Sequence, residues 1–255
     1  MKPSSNKTKK TIVLTEREIE KYSRQTILPT IGLEGQQRLK NARVAIIGIG
    51  ALGTYAAEML VRAGVGTIVL IDDDIVESSN LQRQALFSEK DVGRKKVEPA
   101  QEKLTNINSM VSVEAITKGI DKTTISMLQE KNVDLILDCT DNVETRFLLN
   151  KFCHSENISW IYASAVQTQG YVMPIFPSGP CLSCFLGDKD GESACAAGIL
   201  NTLPAMISSL QTTLALKILM GKQLEPVLYY VDVWKGEIKK ITVKRKKNCS
   251  VCGSV

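Results

Sequence analysis

Residues 44–53 read VAIIGIGALG, a short apolar run that enters Gly48, Gly50 and Gly53 in the spacing G-x-G-x-x-G. No other stretch constrains the fold as much. The unbroken apolar run suits a strand buried on both faces. The glycines permit a tight turn, close approach of a phosphate to backbone, and close packing of the next helix. ALGTYAAEMLVRAG follows with helical character and meets Gly64, and GTIVLID supplies a second strand. A βαβ unit in a parallel sheet is therefore expected. The spacing alone does not choose between NAD, FAD and another nucleotide.

The alternation continues with a helix through KKVEPAQEKLTNIN, a strand at VSVEAIT, a helix near TTISMLQEK and the strand VDLILDC. This pattern predicts an α/β fold with a doubly wound, Rossmann-like parallel sheet. Helical pieces at TEREIEKYSRQ and LEGQQRLKNA precede it. After about residue 158 the rhythm changes. WIYASAVQTQGYVMPIF and VLYYVDVWKGEIKKITV read as antiparallel strands, the second turning near Lys235 and Gly236. Between them lie the loop-rich CLSCFLGDKDGESACAAG and a long apolar helix, PAMISSLQTTLALKILMG. We expect a polar tail over 1–20 and a single domain over 21–255. Its nucleotide half would run to about residue 157, with an antiparallel half after it. A chain of 255 residues can bury one large core without a second domain.

Composition narrows the partners. The formal charge of +5 comes largely from KTKK near the start and KRKK near the end. Neither cluster has interleaved aromatics, and aromatics make up 5% of the chain, so solvated termini are expected rather than nucleic-acid binding. The longest apolar segment is interrupted by Ser208, Ser209, Gln211, Thr212, Thr213 and Lys217, which suits a core or interface helix and not a membrane span. The first ten residues are polar, with no signal-peptide pattern, so a soluble cytoplasmic protein is expected. In that compartment seven cysteines point to metal or catalysis before disulfides.

Asp72 ends the second strand about twenty residues past the glycines, where a nucleotide fold places an acid for the ribose hydroxyls. It heads IDDDIVESSNLQRQ, and Asn80, Arg83 and Gln84 follow, then Lys95 and Lys96 in GRKKVE. Bound NAD needs no such cations, because its pyrophosphate rests on the helix N-terminus. Arg83 and Lys96 suit a triphosphate and a departing pyrophosphate, although each alone would pass for a surface cation. Asp141, with Asp138 as a second candidate, is expected at the carboxyl edge of the sheet in DLILDCTDN. There a carboxylate suits Mg²⁺, and Asp141 or Asn142 also suits the cap of the next helix. Cys181 and Cys184 form one C-x-x-C pair, Cys249 and Cys252 another. Two such knuckles predict a closed four-thiolate zinc site stapling the C-terminus, with a redox pair as the competing reading. Cys195, unpaired in the Gly/Ala-rich ACAAG, is a candidate nucleophile. Cys139 and Cys153 read as core residues, and His154, the lone histidine, carries no motif.

The ordered motifs YSRQ, GIGALG, DDD…SNLQRQ, GRKKVE, LDCTDN, CLSC, ACAAG and CSVCG, spanning about Tyr22 to Gly253, resemble those of the ThiF/MoeB/HesA family. The lean is toward the ThiF-like branch over the MoeB-like one. The resemblance implies a homodimer with zinc in each subunit. It also implies use of ATP and Mg²⁺ to adenylylate the C-terminal glycine of a small ubiquitin-like, β-grasp sulfur carrier protein ending in Gly-Gly. Asp72 would then bind ribose, Asn80, Arg83 and Lys96 the phosphates, and Asp141 the magnesium. Gly48, Gly50, Ala51, Gly53, Asp74, Ser79, Leu81, Gln82 and Asn142 would complete the nucleotide site. Arg24 would reach the partner subunit's ATP site. Cys195 matches a loop cysteine that forms an acyl linkage in some members. Ala51 departs from the family's frequent G-x-G-G-L-G. No rhodanese-like segment follows the second knuckle, so a separate sulfur donor is expected, for thiamine or molybdopterin cofactor synthesis. Competing functions are an NAD(P)-dependent oxidoreductase, a non-catalytic zinc-stapled module that binds a ubiquitin-like protein, and activation of a small-molecule carboxylate.

Overall fold

The computed structural model of the protein describes residues 13–187 and 198–253. Helices α1 (Glu16–Lys21), α2 (Ser23–Thr26) and α3 (Gly32–Asn41) lead into strand β1 (Arg43–Ile47). Helix α4 (Ala51–Arg62) then crosses to β2 (Thr67–Ile71), and α5 (Val97–Ile107) to β3 (Ser112–Ile116). Helix α6 (Met127–Glu130) precedes β4 (Leu135–Asp138), and α7 (Val143–Ser155) precedes β5 (Trp160–Val166). The C-terminal half comprises β6 (Gln169–Ile175), α8 (Leu182–Leu186), α9 (Thr202–Leu219), β7 (Val227–Asp232) and β8 (Glu237–Thr242).

All these strands join one 8-stranded sheet in the order β3-β2-β1-β4-β5-β6-β7-β8. It is parallel from β3 to β5 and antiparallel from β5 to β8. The expected parallel core and antiparallel C-terminal half are therefore one continuous layer. Leu39 of α3, Leu60 of α4, Leu104 of α5 and Leu214 of α9 bury one face. Leu128 of α6, Leu149 of α7 and Leu182 of α8 bury the other, around Trp160. Covered on both faces, the central strands can be apolar throughout, and residues 44–47 are all buried.

Helix α4 shows how sequence sets an element's limits. Leu52, Ala56, Ala57, Leu60 and Val61 form its buried stripe. It stops at Gly64, whose φ of 78° is left-handed. The Val65 N–H returns to the Leu60 carbonyl and the Gly64 N–H to that of Val61, a Schellman closure. A side chain at Gly64 would also strike the Tyr22 ring.

Two helices are shorter than their sequence pattern suggests. TEREIEKYSRQ breaks at Tyr22, whose ring is buried and whose hydroxyl accepts from Asn108 Nδ2 at 2.8 Å. Helix α1 begins at Glu16, inside the stretch expected as tail, because Thr15 and Glu18 form a reciprocal capping box. TTISMLQEK keeps only α6, because the Asp121 carboxylate takes the N–H groups of Thr123 (2.7 Å) and Thr124 (2.9 Å) into a turn.

Candidate active site and cysteine cluster

The glycine turn works by contact. Gly48 has φ 88°, and a Cβ there would lie 2.8 Å from the Cys139 carbonyl oxygen. A Cβ on Gly53 would lie 2.0 Å from the Gly48 carbonyl oxygen, so that glycine sets helix-to-strand packing and does not touch the cavity. Gly50 caps α4 and Ala51 starts it, and both border the open space. The first N–H groups of a helix have no intrahelical partner and suit an anion.

That space is a cavity of about 860 Å³ at the carboxyl ends of β1, β2, β4 and β5. It brings together Gly48, Gly50, Ala51, Asp72, Asp74, Asn80, Arg83, Lys96, Asp141 and Asn142. The Asp72 carboxylate accepts the Ile49 N–H at 2.6 Å and the Asp74 N–H at 2.8 Å. Burial pushes its pKa up, opposed by the charge of Lys96. Lys96 is only 7% exposed, and its ammonium meets Asp74 at 2.7 Å, although the Asp74 side chain is 68% exposed. A polyphosphate can therefore compete for a buried cation whose partner is free to turn to water. Arg83 donates through Nη1 to the Ser79 carbonyl at 3.0 Å, and Asn80 Oδ1 accepts from the Glu77 N–H at 3.1 Å. Asn142 caps α7 by accepting from the Thr145 N–H at 3.0 Å, which leaves Asp141 on the exposed rim.

Other expected residues stand elsewhere. Ser79, Leu81 and Gln82 do not line the cavity. Ser79 holds Arg83 by its carbonyl, and Leu81 packs against the core. Asp138 does not project into the crevice. It is fully buried, with Oδ2 3.3 Å from Arg146 Nε, because an ion so enclosed requires a counter-charge. Arg24 is exposed on α2, outside the cavity lining. Cys195 lies outside the described residues. Cys139 and Cys153 are buried as expected, and burial raises both thiols.

Sequence reasoning missed several lining residues: Arg146, the 117–121 stretch after β3, and Ser164 to Val166 at the end of β5. Gln84, noted beside Arg83, also faces the cavity, and its Oε1 is buried without a hydrogen bond among the described residues. Arg146 was detectable. It lies one turn past the cap Asn142, and side chains in a first turn point back toward the helix N-terminus.

The sulfurs of Cys181, Cys184, Cys249 and Cys252 lie within 4.8 Å of one another. Cys181 Sγ is 3.5 Å from Cys249 Sγ, and Cys184 Sγ is 3.4 Å from Cys252 Sγ. A tetrahedral four-thiolate zinc site has sulfurs about 3.8 Å apart, so the set fits a metal ion. The Lys246 N–H points at Cys184 Sγ from 3.4 Å, an outer contact typical of such ligands. The cluster joins α8 to the end of the chain.

Residues 22–251 match the ThiF family. The chain is 41% identical over 241 residues to a sulfur carrier protein ThiS adenylyltransferase of Bacillus subtilis (strain 168), covering 92% of this chain and 71% of that one. It is 36% identical to a molybdopterin-synthase adenylyltransferase of Escherichia coli (strain K12), covering 94% and 98% of the two. Among solved structures, E. coli MccB with ATP superposes with a TM-score of 0.80 at 27% identity, covering 94% of this chain and 76% of that one. Among the described residues, no helix is long and apolar enough to cross a membrane.

Proposed function

The chain belongs to the ThiF family, and from that premise we propose that it is an adenylyltransferase acting on a ubiquitin-like sulfur carrier protein. It activates the carrier's C-terminal glycine carboxylate with ATP for thiamine or molybdopterin cofactor synthesis in the cytoplasm. Relatives of both kinds match over a comparable share of this chain, and the ThiF-like branch is favoured by the 41% identity. The observation that carries the reading is the buried Lys96 ammonium, facing the cavity beside Arg83 and the α4 N-terminus and partnered by the exposed Asp74. A dinucleotide pyrophosphate requires no such cation.

In this reading Asp72 takes the ribose hydroxyls, and the N–H groups opening α4 face the phosphates. A carboxylate oxygen of the carrier attacks the α-phosphorus, and the bond to the bridging oxygen breaks. Pyrophosphate leaves with the electron pair, and the acyl adenylate remains. Arg83 and Lys96 stabilise the charge that grows on the leaving group. Asp141 offers the hard carboxylate that Mg²⁺ takes beside phosphate oxygens, and the ion would supply further neutralisation of the triphosphate. The cysteine cluster holds Zn²⁺ as a structural staple. The protein works as a homodimer in which exposed Arg24 reaches the partner's cavity, and a separate protein donates sulfur.

Adenylylation needs no thiol, because the carboxylate itself is the nucleophile. Cys195→Ser is therefore expected to keep ATP–pyrophosphate exchange within about threefold of wild type, with any defect in the later sulfur step. To test the proposal, the protein is incubated with ATP, magnesium and a carrier ending in Gly-Gly. Mass spectrometry should show the carrier gaining one AMP, and a carrier lacking its last glycine should gain none. Carrier binding without any adduct would favour the non-catalytic module instead.

A further inference from the structure

The sheet forks between β4 and β5. These strands pair at Ile136 with Trp160 and at Leu137 with Ile161, then part. Beyond that point β4 stays with β1 to Asp138, and β5 stays with β6 to Val166. The facing carbonyls in the fork lose their ladder donors, and a buried carbonyl left without one is costly. Two side chains from opposite layers replace those donors. From α9, the fully buried Gln211 donates Nε2 to the carbonyls of Asp138 at 2.9 Å and Ile161 at 3.1 Å. From α7, Arg146 donates Nη2 to the Thr140 carbonyl and, at 3.2 Å, to that of Ala163. Each side chain ties β4 to β5, one further along the fork than the other.

Arg146 is itself held on more than one side. Its Nε lies 3.3 Å from Asp138 Oδ2, and its guanidinium sits 5.3 Å from the centre of the Tyr162 ring. Asp138 Oδ1 accepts the Thr140 N–H at 3.0 Å and its hydroxyl at 2.7 Å. Thr140 is thus gripped at its N–H and hydroxyl by Asp138 and at its carbonyl by Arg146. The next residue is Asp141. A lysine could neutralise Asp138, but a single ammonium lacks the planar fork that spans two carbonyls while stacking on a ring.

We infer that Arg146, with Gln211 behind it, is a positioning residue that sets the width of the β4–β5 fork. By doing so it fixes where Asp141 and Asn142 stand against the side of the cavity bordered by Ser164. Its kinetic consequence rests on the adenylylation reading, whereas the brace itself is a property of the fold.

The test compares Arg146→Lys, which keeps a charge opposite Asp138, with Arg146→Ala. If Arg146→Ala does not fold, the double variant Asp138→Asn, Arg146→Gln removes both charges and takes its place. In Arg146→Lys, amides of Thr140 to Asn142 should exchange with deuterium faster by on the order of tenfold, while those of Gly48 to Gly50 stay unchanged. The kcat of ATP–pyrophosphate exchange per ATP-binding site should fall on the order of a hundredfold. The KM for ATP should stay within about threefold. Guanidinium ion, but not methylammonium, should restore part of the turnover of Arg146→Ala. Unchanged amide exchange at 140–142, or a defect confined to the KM for ATP, overturns the inference. A wild-type protein that catalyses no exchange refutes the adenylylation reading instead, and the deuterium measurement then decides the brace alone.

Discussion

At the scale of single residues, the site depends on a few groups whose surroundings fix what they can do. Lys96 is buried and cavity-facing, with an exposed carboxylate as partner. Lys96→Gln removes the charge but keeps a polar group of similar reach. Its exchange rate is expected to drop by about two to three orders of magnitude, with stability little changed. A loss below about tenfold would show that Lys96 does not act on the leaving group. Gly53 is limiting in another way, because its absent side chain leaves room for the Gly48 carbonyl. Gly53→Ala is expected to cost at least about 2 kcal/mol in denaturant unfolding, because backbone must move to admit the methyl group. The places of Gly48, Gly50 and Asp72 beside the cavity were legible in the sequence because strand, turn and helix lengths fix them, whereas Gly53, expected in the nucleotide site, packs helix against strand instead. That Arg146 borders the cavity could be read from its place one turn past the Asn142 cap, but its brace could not, because Asp138, Thr140 and Ala163 meet it only through tertiary packing.

At the scale of elements, strands were read well and short helices were not. An apolar run such as residues 44–47 has one good solution, burial in a covered sheet. The polar TTISMLQEK gives its N–H groups to a local carboxylate as readily as to a helix. That competition can be measured. Hydrogen bonds from Thr123 and Thr124 lower the Asp121 pKa from 3.8 to about 2. Asp121 therefore contributes stability that is present above its ordinary pKa and lost as pH falls through about 2. Carboxyl NMR titration should find its midpoint near the lower value, and a midpoint near 3.8 would mean that the turn is not formed in solution.

At the scale of the whole molecule, one sheet carries the cavity on its parallel side and the cysteine cluster on its antiparallel side. The paired C-x-x-C spacing revealed the staple, because four thiols converging from separate segments serve a metal better than packing. The link to the C-terminal end was expected, but Cys181 and Cys184, read as part of a loop, stand at the start of and within helix α8. Cys184→Ser should release the metal and lower the melting temperature by several degrees or more, since the binding free energy of a structural site is folding free energy. Unchanged metal content and melting would remove the four-thiolate assignment. The central claim is that the crevice transfers AMP to a carboxylate, and ATP–pyrophosphate exchange tests it most directly. With a carrier ending in Gly-Gly, labelled pyrophosphate should enter ATP in a carrier-dependent manner, and removing the carrier's last glycine should abolish that incorporation. If no label enters ATP with any such carrier, or label enters equally without one, the account is contradicted.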